Sequence, residues 1–114
     1  MGEAWRSISQ ADIFAAHRRI AGAVTRTPLI RAHALSDRLG GEIWFKLESL
    51  QPTGAFKLRG ATNALSQLPA AAKAAGVVCV STGNHGRGLA HAGRVLGLRV
   101  VVCMSSLVPA VKVE

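Results

Sequence analysis

The sequence contains no tyrosine, and aromatic residues make up only 4% of its 114 residues. Proteins that bind single-stranded nucleic acid stack bases on aromatic side chains, so this composition argues against that class. Acidic residues are also few, six against 14 lysines and arginines, which gives a formal net charge of +8. The basic residues are scattered, and only Arg18 and Arg19 are adjacent. Without a basic patch, we expect no nucleic-acid partner.

Cysteine is scarce as well, since the chain has only Cys79 and Cys103. Each lies in a short apolar run rich in valine, with no CxxC motif and no histidine at a zinc-ligand spacing. We predict reduced thiols that are buried on neighbouring parallel strands and have no catalytic role. The four histidines fall in separate segments or on different helix faces, so we expect no metal site.

Long apolar runs are missing, and none approaches the roughly 18 residues that a membrane span requires. The first residues also lack the apolar segment of a secretory signal. These features predict no membrane partner and a cytoplasmic location. Hydrophobic residues reach 49% and charged residues 18%, which is typical of a packed globular protein and not of a disordered one.

Apolar periodicity and turn residues locate the secondary structure. Ser9 and Asp12 form a predicted capping pair at the start of the first helix. The predicted helices span 9–24, 35–39, 55–68 and 87–96, with an alanine-rich stretch up to Gly76, and the predicted strands span 42–47, 77–80 and 99–104.

The region from 77 to 104 predicts a strand, a glycine turn, a helix and a second strand. Such a βαβ unit requires parallel strands. A parallel sheet needs helices on both faces, and too few elements are visible to cover both. We therefore predict an α/β fold with an open parallel sheet and flanking helices, of which this chain is a truncated part.

Two loops are candidates for chemistry because each precedes a helix. In the first, 53–60, Lys57 falls in the first helical turn. The helix dipole disfavours a charged lysine there and so favours the neutral amine that forms Schiff bases. The alternative is a solvated surface lysine.

The second loop, 81–86, reads Ser-Thr-Gly-Asn-His-Gly. Its small residues allow close approach of a ligand, and the helix start that follows favours a carboxylate or phosphate. The alternative is an ordinary helix cap by Ser81 or Asn84. The glycine spacing does not match a dinucleotide-binding fingerprint.

Five motifs together resemble the pyridoxal-phosphate enzymes of the threonine dehydratase group, which includes serine dehydratases and serine racemase. This group has fold type II, also called tryptophan synthase beta-like. The motifs are Arg-Thr-Pro-Leu at 26–29, Phe-Lys-Leu-Glu at 45–48, Thr-Gly-Ala-Phe-Lys-Leu-Arg-Gly-Ala at 53–61, Ser-Thr-Gly-Asn-His at 81–85 and Val-Pro-Ala-Val-Lys-Val at 108–113. Within the group, segments 81–90 and 103–109 look most similar to hydroxyectoine utilization dehydratases.

The resemblance implies roles for single residues. Lys57 would hold pyridoxal 5'-phosphate covalently and later remove the substrate α-proton, Phe56 would flank the cofactor ring, and Asn84 would hydrogen-bond the 3-hydroxyl oxygen. Thr82 occupies the place where the racemase has a serine that acts as a second base. The implied substrate-binding set is Ser81, Thr82, Gly83, Asn84 and His85.

The resemblance also implies the organisation and the activity. Residues 1–60 would belong to the large domain, with the lysine segment, and 61–114 to the small βαβ domain. The glycine-rich loop for the cofactor phosphate and the polar residue facing the pyridine nitrogen are not in this sequence. The implied protein is the N-terminal portion of a homo-oligomeric dehydratase for threonine, serine or a hydroxyectoine-derived compound. The alternatives are an inactive remnant that serves as a binding or oligomerisation module, and a small basic nucleic-acid binder.

Overall fold

The computed structural model of the chain describes residues 7–109 and 111. Short helices and strands alternate along this part, as the periodicity predicts. The elements in chain order are α1 (Gln10–Ile20), β1 (Leu29–Arg31), α2 (His33–Leu39), β2 (Trp44–Lys46), a 3-10 turn (Glu48–Leu50), α3 (Lys57–Ser66), α4 (Ala70–Ala75), β3 (Val77–Val80), α5 (Asn84–Leu96) and β4 (Val100–Cys103).

The predicted capping pair at the start of α1 is confirmed. The Asp12 N–H donates to the Ser9 hydroxyl at 3.2 Å, and the Ser9 N–H donates to the Asp12 carboxylate at 2.9 Å. The hydrogen bonds from the Ser9 hydroxyl and backbone lower the pKa of Asp12. The helix ends at Ile20, short of the predicted Val24, because the chain turns at Gly22, whose φ is +85°.

Strand β1 is not among the predicted strands, and it pairs with β2 in antiparallel register. Ile30 lies opposite Phe45 at the centre of this pair. Three residues are too few to show the alternation that identifies a strand in sequence. Between the two strands, α2 ends at Leu39, where the predicted helix 35–39 also ends, and Gly40 after it adopts the left-handed conformation.

The predicted βαβ unit is confirmed, because β3 and β4 are parallel neighbours joined by α5. Their register runs from Val77 opposite Val100 to Val80 opposite Cys103. A side chain at Gly93 of α5 would place its Cβ 2.3 Å from the Val100 side chain. The missing side chain therefore lets α5 lie directly on β4.

The prediction that both cysteines are buried is wrong, although both thiols are free and lie on neighbouring parallel strands. Cys79 is half-buried and Cys103 is exposed. The register places Cys103 beside Val80, on the face of the strand pair that is open to solvent, while Cys79 lies beside Val102 on the packed face. Successive residues of a strand point to opposite faces, so the apolar run does not bury every member.

The core lies between α3 and α5. It consists of Leu58, Ala61 and Leu65 from α3 with Leu89 and Ala92 from α5. Helix α3 spans residues 57–66 and so crosses the predicted domain boundary at residue 60. The assignment of the two halves of the chain to a large and a small domain stays a prediction. Within the part of the chain that the structure describes, no helix is long and apolar enough to cross a membrane.

Candidate active site

Lys57 is the first residue of α3, which agrees with its predicted place in the first helical turn. Its side chain is exposed, and its ammonium group lies 5.3 Å from the centroid of the neighbouring Phe56 ring. This separation is within the range of a cation–π contact. The amine is therefore accessible at a helix start and flanked by an aromatic ring.

A cleft of about 390 Å³ adjoins this lysine. That volume lies in the range of small-molecule sites. The lining is largely apolar, and its polar residues are Lys57, Arg59 and His85. The cleft lies between α3 and the start of α5, and its lining includes Phe56, Lys57, Ala61, Ala64, His85 and Leu89.

Gly88 brings the two helices together at this cleft. A Cβ at Gly88 would lie 3.3 Å from the carbonyl carbon and oxygen of Lys57 and from the Leu58 nitrogen. Gly88 lies one helical turn beyond Asn84, on the same side of α5. The structure thus places the lysine segment and the 81–86 loop at one cleft, whereas the catalytic and binding roles of their residues stay predictions.

The 81–86 loop is organised by a hydroxyl and a carbonyl. The Ser81 hydroxyl accepts a hydrogen bond from the Gly86 N–H at 2.8 Å, and the Gly83 carbonyl accepts one from the Arg87 N–H at 3.2 Å. Helix α5 consequently begins at Asn84, three residues before the predicted start at Arg87.

The capping alternative for this loop needs a correction. Gly83, and neither Ser81 nor Asn84, occupies the N-cap position, although Ser81 supplies the hydroxyl that holds the loop. The first N–H groups of a helix have no partner inside it. Among the described residues, the Ser81 and Gly83 oxygens account for Gly86 and Arg87, which leaves the N–H groups of Asn84 and His85 for a ligand.

The side chains of the remaining candidates face solvent. Thr82, Asn84 and His85 are exposed, while Gly83 is half-buried and would have free space at a Cβ position. These polar groups and the N–H groups of the helix start are suited to an anion. Within the described residues, no group of three or more His, Cys, Asp or Glu side chains is placed to hold a metal ion.

Sequence reasoning missed an ion pair beside the lysine. Arg59 donates from Nε to one Glu48 carboxylate oxygen at 2.8 Å and from an Nη atom to the other at 2.7 Å. The Thr27 hydroxyl donates to the same carboxylate at 2.5 Å. These residues lie in three of the motifs that carried the family resemblance, but no local pattern shows that they meet.

The carboxylate of Glu48 is strongly stabilised in its charged form. The hydrogen bonds from Arg59, together with that from the Thr27 hydroxyl and against the opposing effect of burial, lower its pKa to about 2. The same contact raises the pKa of Arg59. Both groups are therefore ionised at neutral pH.

Gln51 extends this network and is almost completely buried. Its side-chain amide donates to the Thr25 carbonyl at 2.8 Å and accepts from the Thr25 N–H at 3.0 Å. Arg59 also donates to the Thr25 carbonyl at 3.1 Å. The segment before β1, the 3-10 turn and the start of α3 are thus joined into one polar network around Glu48.

The fold and this arrangement define the class: a chain of fold type II architecture with an accessible lysine amine at a helix start, next to a second helix start that favours anions. The sequence profile of the family described as pyridoxal-phosphate dependent enzyme matches residues 20–114. The chain belongs to this family.

Curated relatives include both lyases and racemases. A Sinorhizobium fredii protein with a provisional threonine dehydratase name is 48% identical over 95% of this chain and 32% of its own length. The L-threo-3-hydroxyaspartate ammonia-lyase of a Pseudomonas species is 42% identical over 92% of this chain and 33% of its own. Among solved structures, the serine racemase of Dictyostelium discoideum superposes with a TM-score of 0.87 at 38% identity, covering 93% of this chain and 35% of that one.

The chain thus spans about a third of the length of the relatives it matches. The family uses pyridoxal phosphate. The residues present fit the aldehyde end of that group. Lys57 has a primary amine beside the Phe56 ring, and both residues line a cleft that is large enough for the pyridine ring. Lys57 and Phe56 are the residues that would hold it there.

Proposed function

We propose that this chain is the lysine-bearing, N-terminal part of a pyridoxal-phosphate-dependent ammonia-lyase that dehydrates a small hydroxy amino acid such as threonine or serine. The observation that carries the proposal is the Lys57 amine in a cleft shared with the start of α5. Names of the relatives support the reaction class, since several are threonine or 3-hydroxyaspartate ammonia-lyases. A cytoplasmic location and a homo-oligomeric assembly belong to the same proposal.

Each part of the cleft has a separate task in this proposal. When bound, the cofactor supplies the electron sink for loss of the substrate α-proton. Lys57 holds the cofactor and, once its amine is free, accepts that proton at Nζ. Phe56 limits the movement of the ring and excludes water from one side of it.

The start of α5 takes the substrate carboxylate. The free N–H groups of Asn84 and His85 lie at the positive end of a 13-residue helix, where a carboxylate is stabilised. Ser81 is a positioning residue in this scheme, because its hydroxyl already accepts from the Gly86 N–H and so fixes the loop. The exposed Asn84 side chain is free to bind the cofactor oxygen that the resemblance assigns to it.

The role of Thr82 and the identity of the substrate are two more specific parts of the proposal. The exposed Thr82 hydroxyl lies next to the binding loop, which allows a second proton-transfer group and hence some racemase activity. A hydroxyectoine-derived substrate remains the alternative within the same reaction class. Analysis of the products formed from serine, threonine and a hydroxyectoine-derived compound tests both the racemase activity and the choice of substrate.

Absorption spectroscopy with pyridoxal phosphate tests the proposal. We expect a new band near the edge of the visible range on adding the cofactor to the chain, and its absence in Lys57→Ala. We expect little or no keto product from serine or threonine with the 114 residues alone, because the phosphate cradle that the resemblance implies is not in this sequence. An identical band in Lys57→Ala contradicts the proposal and favours an inactive remnant.

A further inference from the structure

The backbone that carries Lys57 is held at three points. Leu58, the next residue, is fully buried in the core between α3 and α5. Gly88 of α5 lies so close to this backbone that a Cβ at Gly88 would be only 3.3 Å from the Lys57 carbonyl oxygen. Arg59, one residue further along, is fixed by both carboxylate oxygens of Glu48. Leu58 and Gly88 hold this backbone by packing, whereas Arg59 holds it through an ion pair.

The loop that leads into α3 depends on the same network. It begins at Gln51, whose side chain is bonded to both backbone groups of Thr25 and donates to Glu48 at 3.3 Å. The Gly54 N–H then donates to the Gln51 carbonyl at 2.7 Å, which closes a turn before the lysine. The network around Glu48 therefore fixes both the entry into α3 and its first turn.

We propose that Glu48 is a positioning residue for Lys57, acting through its two-point ion pair with Arg59 to fix the backbone from which the lysine amine enters the cleft. This inference rests on the proposed function, because it concerns the reactivity of Lys57 toward pyridoxal phosphate. Bidentate pairs between arginine and a carboxylate fix orientation as well as distance. The pair is also largely shielded, with Glu48 only 17% exposed in its side chain.

A second ion pair in the chain provides a matched control. Arg31 and Glu42 approach to 3.5 Å through a single contact, and their side chains are 41% and 70% exposed. Such exposed pairs contribute little to stability or geometry. Replacing Glu42 therefore removes the same kind of charge without touching the start of α3.

The test compares two lysines within one molecule. The whole chain is treated with pyridoxal phosphate and then with borohydride: the aldehyde condenses with a neutral amine and loses water, and hydride reduces the resulting C=N bond to a stable amine. Peptide mass spectrometry gives the label on Lys57 relative to Lys73, which lies on α4 and donates to the Ser66 carbonyl. The ratio is compared only between folded variants, because Lys57 is exposed and Lys73 is half-buried, so that unfolding by itself would raise the label on Lys73 more than the label on Lys57.

We expect a high Lys57 to Lys73 ratio in the wild type and a drop of about tenfold in Glu48→Gln, the factor that corresponds to loss of one charge-assisted hydrogen bond. Arg59→Lys keeps the positive charge but loses the two-point contact with the carboxylate, and it should give an intermediate Lys57 to Lys73 ratio. Glu42→Gln should match the wild type. Circular dichroism shows which variants are folded, and if Glu48→Gln is unfolded, the folded Arg59→Lys decides by the same ratio.

The outcomes separate the two claims. A wild-type ratio near one contradicts the proposed function, because Lys57 would then react like any other lysine. A high wild-type ratio that persists in the folded Glu48→Gln and Arg59→Lys variants overturns the positioning role alone. A ratio that falls equally in Glu42→Gln also overturns it, because the effect would then follow from net charge.

Discussion

Replacing Gly93 by alanine should destabilise the βαβ unit. The added Cβ would lie 2.3 Å from a methyl group of Val100 and 3.2 Å from the Leu98 carbonyl oxygen. Val100 cannot easily give way, because a β-branched side chain in a strand has restricted rotamers. Either α5 must move away from β4 or Val100 must leave its preferred rotamer.

The magnitude follows from two opposing terms. Overpacking of this kind costs about 1–3 kcal/mol, whereas exchanging glycine for alanine inside a helix gains about 1 kcal/mol. Gly60 supplies the control, since it lies within α3 and a Cβ there meets nothing within 4 Å. The difference between Gly93→Ala and Gly60→Ala therefore isolates the steric term, at about 1–3 kcal/mol.

Urea unfolding followed by circular dichroism measures this difference. Gly60→Ala should raise the unfolding midpoint, and Gly93→Ala should lower it, with similar slopes in both variants. If Gly93→Ala is as stable as Gly60→Ala, the close contact between α5 and β4 does not exist as described. The placement of the 81–86 loop, which depends on that packing, would then be wrong as well.

Three further predictions concern titration, thiol reactivity and the cleft. The pKa of Glu48 falls from the ordinary 4.5 to about 2 on folding, a change worth roughly 3 kcal/mol that solvent screening reduces to about 1–2 kcal/mol. Because the folded-state pKa is the lower one, this contribution to stability is present above pH ~5 and is lost as the pH falls toward 2. Acid unfolding of Glu48→Gln should therefore show a smaller loss of stability between pH ~5 and about 2 than the wild type does. Burial raises the pKa of the Cys79 thiol, so iodoacetamide should label the exposed Cys103 faster, and equal rates would contradict the assigned faces. Gly88→Ala should lower the labelling of Lys57 by pyridoxal phosphate without unfolding the chain, since its Cβ presses on the lysine backbone, and unchanged labelling would contradict the close approach.

Local signals predicted much of this structure. The Ser9 capping box, the helix end at Leu39 and the strand at 77–80 each depend on neighbouring residues, and all three are confirmed. The position of Lys57 in its helix is likewise local, and it agrees with the structure.

The features that the sequence did not reveal depend on distant parts of the chain. β1 is too short to show a pattern and is defined by its pairing with β2. Glu48 and Arg59 are 11 residues apart and meet only because the intervening loop folds back. The exposure of Cys103 depends on which face of the strand pair is covered, and an apolar run does not encode this.

The most direct test of the central claim is the site of covalent labelling by pyridoxal phosphate in the wild-type chain. After borohydride reduction and peptide mass spectrometry, we expect the label chiefly on Lys57, and we expect Lys57→Arg to lose it without gaining label elsewhere. Lys46 and Lys73 serve as internal references, because both amines donate to backbone carbonyls away from the cleft. Label spread evenly over these three lysines, or concentrated on one other than Lys57, would contradict the assignment of the cleft as a cofactor site.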